Sequence, residues 1–338
     1  MESDRYILKL INGESLKRKD AESLMNCLVS SETSDIRRAA FLTGLHFKGA
    51  TTEEIIGFSE SLRSHSIASR IPGLTDIVGT GGDGKNTINV STGASIASSA
   101  LGIKIAKHGN VGITSRHGSA DFMKYIGYNF ERGVSDPEGA LNQNSFLYVF
   151  APRFNNSFAS FADVRKKIGH RTIFNIMGPI TNPFDPDRLV IGTADEKTSE
   201  SYAQVLKVRG KRGYVFHSAD GLDEISPSAE TAGFLISGGV RSVTIVPEDI
   251  TGRGIDLKNV TTQDPEECFT KTLKGLLGRD RDASSFIALN AAPALVLNGV
   301  AGSIEDGYQA AMNAIGEGTV EKQIRKLAAG EAELNEAS

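Results

Sequence analysis

Residues 74–106 read LTDIVGTGGDGKNTINVSTGASIASSALGIKIA, and this stretch decides the fold. Its apolar start, 74–78, is typical of a short buried strand, and the glycine-rich segment 79–84 follows it. A run of small residues at 91–102 predicts a helix that ends at glycine, and 103–106 predicts a second strand. A strand, a glycine loop, a helix and a strand in succession indicate an α/β fold that binds a ligand at the loop.

The same alternation continues further along the chain. Strands are predicted at FLYVF (146–150), TIFNI (172–176), LVIGT (189–193), YVFHS (214–218) and SVTIV (242–246), and an apolar helix at 284–298. We therefore predict a central, mainly parallel or mixed sheet with helices on both faces and ligand loops at the carboxyl ends of its strands.

The N-terminal part has a different pattern. Apolar residues recur every three or four positions in YILKLI, AESLMNCLV, AAFLTGLHF and EEIIGFSESL, which predicts four short helices within 5–68. Thr51 and Thr52, followed by two glutamates, are typical of a helix start. The sequence thus predicts a small all-helical domain at 1–69 and a larger α/β domain at 70–338.

The composition is that of an ordinary globular protein. The chain has 338 residues, 39% hydrophobic and 23% charged, which is enough to bury a substantial core. Its net charge of −4 gives no overall basic field, so we expect no nucleic-acid partner. The cysteines, Cys27 and Cys268, lie far apart and are expected to be reduced. No apolar run reaches the ~18 residues of a membrane helix, and the N-terminal residues lack a signal peptide's apolar core. We therefore expect a cytoplasmic protein without a membrane partner.

Two nucleotide-binding motifs nearly match the glycine segment. GTGGDG (79–84) matches the GxGxxG of dinucleotide-binding proteins, and Gly84-Lys85 falls at the P-loop spacing, although Asn86 stands where the P-loop has Ser or Thr. Neither motif tolerates the non-helical KNTINV that follows. The dinucleotide fold also needs an acid at the end of the next strand, where this chain has Lys107.

Asp83 indicates a different ligand. A carboxylate in a phosphate-binding loop repels the phosphate unless a cation lies between them. Glycine amides, Asp83, and Ser91 and Thr92 at the start of a helix therefore favour a site for a phosphate ligand with Mg²⁺. The simpler alternative is a structural turn between a strand and an N-capped helix.

Seven motifs in order carry a resemblance. Residues 76–121 contain GTGGDG, NVST, KHGN and GSAD, and FAPRF (150–154), VRKKIGHRTIFNIMGPITNP (164–183) and DGLDEIS (220–226) follow. In these motifs and their spacing the sequence resembles the anthranilate phosphoribosyltransferase family over nearly the whole chain. The resemblance implies a nucleoside phosphorylase-like, class IV-type phosphoribosyltransferase fold, in which helices within 155–187 join the small helical domain.

The resemblance also implies an activity. Enzymes of that family transfer the phosphoribosyl group of 5-phosphoribosyl 1-pyrophosphate to the amine of anthranilate, a step of tryptophan biosynthesis. It further implies two Mg²⁺ ions as the cofactor and a homodimer formed through the helical domain.

The residues implied by the resemblance form overlapping sets. Phosphoribosyl pyrophosphate would be held by Gly79, Gly82, Asp83, Thr87, Asn89, Val90, Ser91, Thr92, Lys107, Ser115 and Ser119. Anthranilate would be held by Gly79, His108, Asn110, Pro152, Asn155, Arg165, Gly178 and Pro179. Mg²⁺ would be held by Ser91, Asp223 and Glu224, and the catalytic residues would be Lys107, Asn110 and Arg165.

The residue types suit these roles, although each also has a simpler explanation. Lys107 offers a compact positive charge for pyrophosphate, yet a lysine after a strand is more often only solvated. Asp223 and Glu224 offer hard oxygen ligands, yet an acidic surface turn would look the same. Arg165 lies on a predicted helix with one apolar face and can pair with a carboxylate ligand, but a salt bridge within the protein suits the spacing equally.

Three residues depart from the family pattern. Asn155 stands where the family often has histidine, Val111 where it often has arginine, and His117 where it often has serine. We expect these changes to affect the affinity for the aromatic acceptor. His108 and His117 lie nine residues apart, which is not a metal-ligand spacing, so no zinc site is predicted.

Two other functions remain open. A pyrimidine nucleoside phosphorylase shares the fold and a similar glycine loop, but it binds free phosphate and a nucleoside and does not need the acidic pair at 223–224. A non-catalytic, nucleic-acid-binding paralogue predicts a basic groove and lost metal residues. Here the acids are present and the net charge is negative.

Overall fold

The computed structural model describes residues 2–111 and 118–328, and the chain divides into two compact units. The helical unit comprises residues 1–70 and 151–185, and the α/β unit comprises residues 71–150 and 186–338. Helices and strands are numbered here along the chain.

The described part of the helical unit contains seven α-helices. They are α1 (Glu2–Ile11), α2 (Arg18–Val29), α3 (Asp35–Lys48), α4 (Thr52–Ser64), α9 (Ala151–Phe154), α10 (Ala162–Ile168) and α11 (Phe174–Met177), with 3-10 turns at Asn156–Phe161 and Gly178–Ile180. The prediction of four N-terminal helices is confirmed.

The start of α4 also agrees with its prediction. Thr51 caps the helix by accepting a hydrogen bond from the amide of Glu54, and the Glu54 carboxylate accepts a bond from the amide of Thr51. Glu54 is fully buried, yet its charge is compensated because it also binds the ammonium of Lys48 and the amide of Leu16, each at 2.8 Å. This acid is structural.

The strand predicted at 172–176 is wrong. The amide of Thr172 donates to the Asn175 side chain at 2.8 Å, and the amide of Asn175 donates back to the carbonyl of Thr172 at 2.9 Å. This local turn starts α11 instead of a strand. The segment then packs Phe174 against Phe161, with ring centroids 4.4 Å apart.

The α/β unit is built on a seven-stranded sheet. Its strands are β1 (Thr75–Gly79), β2 (Ile105–Gly109), β3 (Phe146–Phe150), β4 (Arg188–Thr193), β5 (Arg212–Ser218), β6 (Thr231–Ile236) and β7 (Val240–Ile245). Its helices are α5 (Val90–Ala100), α6 (Ser119–Tyr125), α7 (Phe130–Ser135), α8 (Pro137–Asn144), α12 (Glu196–Val208), α13 (Pro247–Thr251), α14 (Pro265–Leu276), α15 (Arg281–Leu297), α16 (Ile304–Gly316) and α17 (Thr319–Leu327), with a 3-10 turn at Leu257–Val260.

The strand order places the ligand edge. The order is β3-β2-β1-β4-β5-β6-β7, with β1 to β5 mutually parallel and β6 antiparallel to both β5 and β7, which confirms the predicted mainly parallel sheet. From β1 the chain proceeds outward to β3, then returns to β4 on the other side of β1. The order therefore reverses between β1 and β4, and ligands of such sheets bind at the carboxyl ends of the strands at that point.

The hydrophobic core of the α/β unit lies between the sheet and α15. Nearly every side chain of α15 is buried, and this helix packs against α5, α14 and α16. Tyr214 and Phe216 of β5 face this core, whereas Gly213 of the same strand lies against Leu206 of α12. Because side chains alternate along a strand, α12 covers the opposite face of the sheet. Among the described residues, no helix is long and apolar enough to span a membrane.

Candidate phosphate and metal site

Two facing glycines mark the centre of the carboxyl edge. Gly79 ends β1 and pairs in register with Gly192 of β4. A Cβ atom at Gly79 would collide with the Asp223 carboxylate. One at Gly192 would collide with the Asp223 carbonyl and would lie 3.1 Å from the amide nitrogen of Glu224. The two glycines therefore leave the space into which the loop after β5 packs.

The loop after β5 carries the acidic pair, Asp223 and Glu224. The amide of Gly81 donates to the Asp223 carboxylate, and the Ser218 hydroxyl donates to the Glu224 carbonyl at 2.6 Å. Asp223 is buried and Glu224 is partly buried. Both acids therefore lie at the strand edge beside the glycine loop.

The acidic pair is electrostatically strained. Burial and then the charge of Asp83 raise the pKa of Asp223 to about 7. Burial and then the charge of Asp223 raise the pKa of Glu224 well above its ordinary value, although the Lys107 charge and a hydrogen bond with Ser91 oppose this. A group of carboxylates with raised pKa values at a strand edge is typical of a cation or catalytic site.

Lys107 lies inside β2, so the prediction that it follows a strand is wrong in this detail. Its side chain is only 2% exposed, and burial lowers its pKa while the charges of Asp76, Glu224 and Asp223 raise it. Asp76 of β1 is fully buried and accepts a hydrogen bond from the amide of His108 at 3.1 Å. A buried ammonium among carboxylates is not a merely solvated lysine, so that simpler explanation is excluded.

A non-helical segment separates the glycine loop from α5, as its sequence predicts. Residues 86–88 run antiparallel to 260–262, with a bond of 2.9 Å from the amide of Ile88 to the carbonyl of Val260. Asn89 then precedes α5. Its amide donates to the Thr272 hydroxyl at 3.0 Å, and its side-chain oxygen accepts from the Cys268 thiol at 3.5 Å. Two residues of α14 thus fix the entry into α5.

The first turn of α5 presents polar side chains beside the acidic pair. Val90 packs into the core, Ser91 binds Glu224, and Thr92 is 1% exposed. The Thr92 hydroxyl has no hydrogen-bond partner among the described residues. A buried hydroxyl normally finds a partner, so a polar ligand at this helix start would satisfy it.

A second polar loop follows β2. The carbonyl of Asn110 accepts from the amide of Ala120 at 3.1 Å, which ties the start of α6 to the end of β2. Ser119, the first residue of α6, lies 2.6 Å from the Tyr148 hydroxyl. A Cβ atom at Gly109 would collide with both hydroxyls, so glycine is needed for this approach. Val111 is 45% exposed, and Ser115 and His117 lie outside the described residues.

Five of the proposed acceptor residues belong to the helical unit. Pro152 is exposed on α9, Gly178 and Pro179 form the turn after α11, and Arg165 lies on α10. Asn155 is 5% exposed, and both ends of its amide are used, because it donates to the carbonyl of Leu62 and accepts from the amide of Ser157. Both ends of its amide are therefore used in hydrogen bonds within the helical unit.

Arg165 has a different environment. Its guanidinium lies over the Phe174 ring, 5.4 Å from the centroid, and burial lowers its pKa. Within the described residues its side chain has no ion pair, so the predicted alternative of an internal salt bridge is not formed. A half-buried cation without a carboxylate is suited to an acidic ligand.

Several residues of this arrangement are not among those predicted from the sequence. Asp76 is an acid inside an otherwise apolar predicted strand, which is a detectable signal. Cys268, Thr272 and Tyr148 contact Asn89 or Ser119 from distant parts of the chain, and no local pattern reveals such contacts.

The acidic pair does not by itself form a complete metal cage. Within residues 2–111 and 118–328, no group of three His, Cys, Asp or Glu side chains is arranged to hold a metal ion. An ion at the acidic pair would therefore need oxygen ligands from elsewhere, as Mg²⁺ commonly takes from substrate phosphates.

Comparison with known proteins places this site in a family. The helical bundle domain of a glycosyl transferase family matches residues 4–66, and the a/b domain of that family matches residues 72–321. An anthranilate phosphoribosyltransferase of Picrophilus torridus is 46% identical over 319 residues, which are 94% of this chain and 97% of the relative. The chain belongs to the anthranilate phosphoribosyltransferase family.

Solved structures of the anthranilate phosphoribosyltransferase family have the same fold. The enzyme of Thermus thermophilus is 30% identical with a TM-score of 0.87, covering 97% of this chain and 98% of that one. The enzyme of Saccharomyces cerevisiae, solved in complex with phosphoribosyl pyrophosphate and Mg, is 24% identical with a TM-score of 0.85 and covers 96% of each chain. The chain is accordingly an enzyme of the glycosyl transferase class.

Proposed function

We propose that the chain transfers the phosphoribosyl group of 5-phosphoribosyl 1-pyrophosphate to the amine of anthranilate, yielding N-(5-phosphoribosyl)anthranilate and pyrophosphate for tryptophan biosynthesis. Two relatives whose alignments cover 94% of this chain are named for this activity. The observation that carries the proposal is the convergence of the glycine loop, the start of α5, Lys107 and the acidic pair at one sheet edge. The proposed function involves neither a nucleic-acid partner nor a membrane.

The donor half of the site belongs to the α/β unit. The backbone of the glycine loop has positive φ angles at Gly81, Gly82 and Gly84, a conformation that glycine adopts readily and that lets the backbone approach phosphate oxygens closely. Beside it, Ser91 and Thr92 lie in the first turn of α5, where the helix dipole favours an anion, and the Thr92 hydroxyl has no partner in the part of the chain that the structure describes.

The acidic pair suits Mg²⁺. Asp223, Glu224 and the Ser91 hydroxyl are hard oxygen donors, and a divalent cation would neutralise the carboxylates whose pKa values are raised. We include two ions in the proposal. Bound Mg²⁺ would withdraw charge from the departing pyrophosphate.

The chemistry needs little from a base. The bond between ribose C1 and the pyrophosphate oxygen breaks, and the amine nitrogen bonds to C1. The new arylammonium is acidic enough to lose its proton to water. Lys107 and the loop amides would stabilise the leaving group, and one such preorganised donor is typically worth ~3 kcal/mol. Positioning of the amine supplies much of the remainder.

The acceptor half of the proposal rests on Arg165. Its guanidinium, half-buried and lacking an ion pair within the described residues, would hold the anthranilate carboxylate. Asn110 and His108, on the α/β unit, are proposed to contact the acceptor as well.

We also propose a homodimer and a cytoplasmic location. Ile36 and Phe47 of α3 are 82% and 84% exposed, and Leu8 and Ile11 of the neighbouring α1 are also exposed. Such apolar faces on the helical unit are suited to a subunit interface. Cys27 is an exposed free thiol, which is typical of a reducing compartment.

One assay tests the function. Anthranilate is fluorescent, so its consumption is followed directly after mixing enzyme, phosphoribosyl pyrophosphate and Mg²⁺. We expect loss of fluorescence that requires all three. A chain that leaves anthranilate unchanged but cleaves thymidine or uridine with inorganic phosphate would instead be a nucleoside phosphorylase.

A further inference from the structure

A buried amide lies in the middle of an otherwise apolar helix. Asn290 of α15 is 3% exposed, and its neighbours in the helix are alanine and leucine. Burying a side-chain amide is unfavourable unless its hydrogen bonds are formed, so such a residue needs a reason. The predicted site residues do not include it.

The hydrogen bonds of Asn290 give that reason. Its oxygen accepts from the amide of Ile225 at 2.8 Å, and its nitrogen donates to the carbonyl of Ile225 at 3.0 Å. The nitrogen also donates to the carbonyl of Phe286, one turn back in the helix, at 3.1 Å. The side chain therefore pairs with both backbone groups of one residue, as a neighbouring strand would do.

Ile225 directly follows the acidic pair, so the loop is held on two sides. On one side, the backbone of Asp223 lies against Gly79 and Gly192, where no Cβ atom keeps it away. On the other side, the Asn290 side chain binds both backbone groups of Ile225. Two neighbouring carboxylates repel each other, so a loop that holds both must be fixed by other elements.

We propose that Asn290 is a positioning residue that locks the Asp223–Glu224 loop in the conformation that binds the Mg²⁺–pyrophosphate group. This inference rests on the proposed function. Residues that orient metal ligands in this way typically contribute 10- to 100-fold to metal affinity or activity, roughly the effect we expect here.

A purely structural role makes a different prediction. It lowers the melting temperature but leaves metal and donor binding unchanged. The chain supplies a matched control in Asn298, which caps the C-terminal end of the same helix, donates to the carbonyl four residues back at 2.8 Å and donates to the Thr75 hydroxyl at 2.9 Å. Thr75 starts β1, at the opposite edge of the sheet from the acidic pair.

The experiment compares Asn290→Ala with Asn298→Ala in the full chain. Binding of Mn²⁺ in the presence of pyrophosphate is measured from the spin-resonance signal of free Mn²⁺, with melting temperature and the KM values for Mg²⁺ and phosphoribosyl pyrophosphate alongside. We expect both variants to melt earlier, but only Asn290→Ala to weaken Mn²⁺ binding by roughly tenfold or more and to raise both KM values.

A milder substitution is tested in case Asn290→Ala does not fold. Asn290→Ser keeps a hydroxyl that can bond the carbonyl of Phe286 but is too short to reach Ile225. The proposal is overturned if the folded Asn290 variant binds Mn²⁺ as the wild type and Asn298→Ala do. If the wild type itself performs no Mg²⁺-dependent transfer, the proposed function fails, and the binding data still decide the role of Asn290.

Discussion

At the scale of single residues, glycine at 192 is required by a close approach. A Cβ atom there would collide with the Asp223 backbone, whereas one at Gly316, at the end of α16, would meet nothing. We expect Gly192→Ala to displace the acidic loop and to lower kcat/KM for phosphoribosyl pyrophosphate at least ~10-fold. Gly316→Ala is the control. Equal steady-state kinetics for the two variants would contradict the steric argument.

Arg165 is the residue on which acceptor binding depends. Replacing it by glutamine removes a charge-assisted bond to a carboxylate, worth about 2 kcal/mol, so the KM for anthranilate should rise roughly 30-fold. The KM for phosphoribosyl pyrophosphate should not change. Lys166→Ala, an exposed cation on the same helix, serves as the control for loss of charge. A rise confined to the donor KM would remove the assignment.

At the scale of elements, the acidic loop is expected to lower the stability of the metal-free protein while it provides the ligands for the metal. Two neighbouring carboxyl groups with raised pKa values destabilise the metal-free fold when they ionise, so Asp223→Asn with Glu224→Gln should raise the melting temperature in EDTA at pH 8. Turnover with saturating Mg²⁺ should fall by roughly a hundredfold or more. Calorimetry and the anthranilate assay check the two halves. Wild-type turnover in the double mutant would refute the metal assignment.

The contact of α14 with the segment before α5 can be probed through its thiol. Burial raises the pKa of Cys268 to about 12, while Cys27 is exposed. At pH 8 a thiol reagent should titrate one cysteine in the native protein and two after unfolding, since the thiolate is the reactive form. Because the folded pKa exceeds the ordinary value, the stability that the neutral thiol contributes is lost as the pH rises from about 9 towards 12. Rapid reaction of two thiols in the native state would contradict this burial.

The elements also show which parts of the secondary structure can be predicted from local sequence patterns. The strands at 146–150, 189–193 and 214–218 agree with their predictions within two residues, because buried parallel strands are continuous apolar runs. β2 extends into Lys107 and His108, which polarity assigns to a loop. No strand is predicted at β6, where Gly233 lies so close to the backbone of β5 that no Cβ atom would fit. The motifs indicate the donor loops, but Asp76 and Asn290 act through contacts that sequence spacing does not reveal.

At the scale of the whole molecule, we expect α1 and α3 of the helical unit to determine whether two subunits associate. α1 and α3 pack together and expose Leu8, Ile11, Ile36 and Phe47, an apolar surface that is unfavourable in water unless a second copy covers it. We expect a dimer in light scattering at micromolar concentration. Phe47→Asp places a charge in that surface and should shift the protein towards the monomer while the secondary structure remains.

The control substitution for Phe47→Asp lies on the α/β unit. Val208 of α12 is 49% exposed, so Val208→Asp also adds a charge at an apolar surface position, but on the α/β unit. It should leave the dimer intact. If both variants stay dimeric, the interface lies elsewhere; if the wild type is already a monomer, the exposed side chains of α1 and α3 need another explanation. Because the donor residues all belong to the α/β unit, a monomeric Phe47→Asp should retain Mn²⁺ and pyrophosphate binding, which separates assembly from the chemistry of the site.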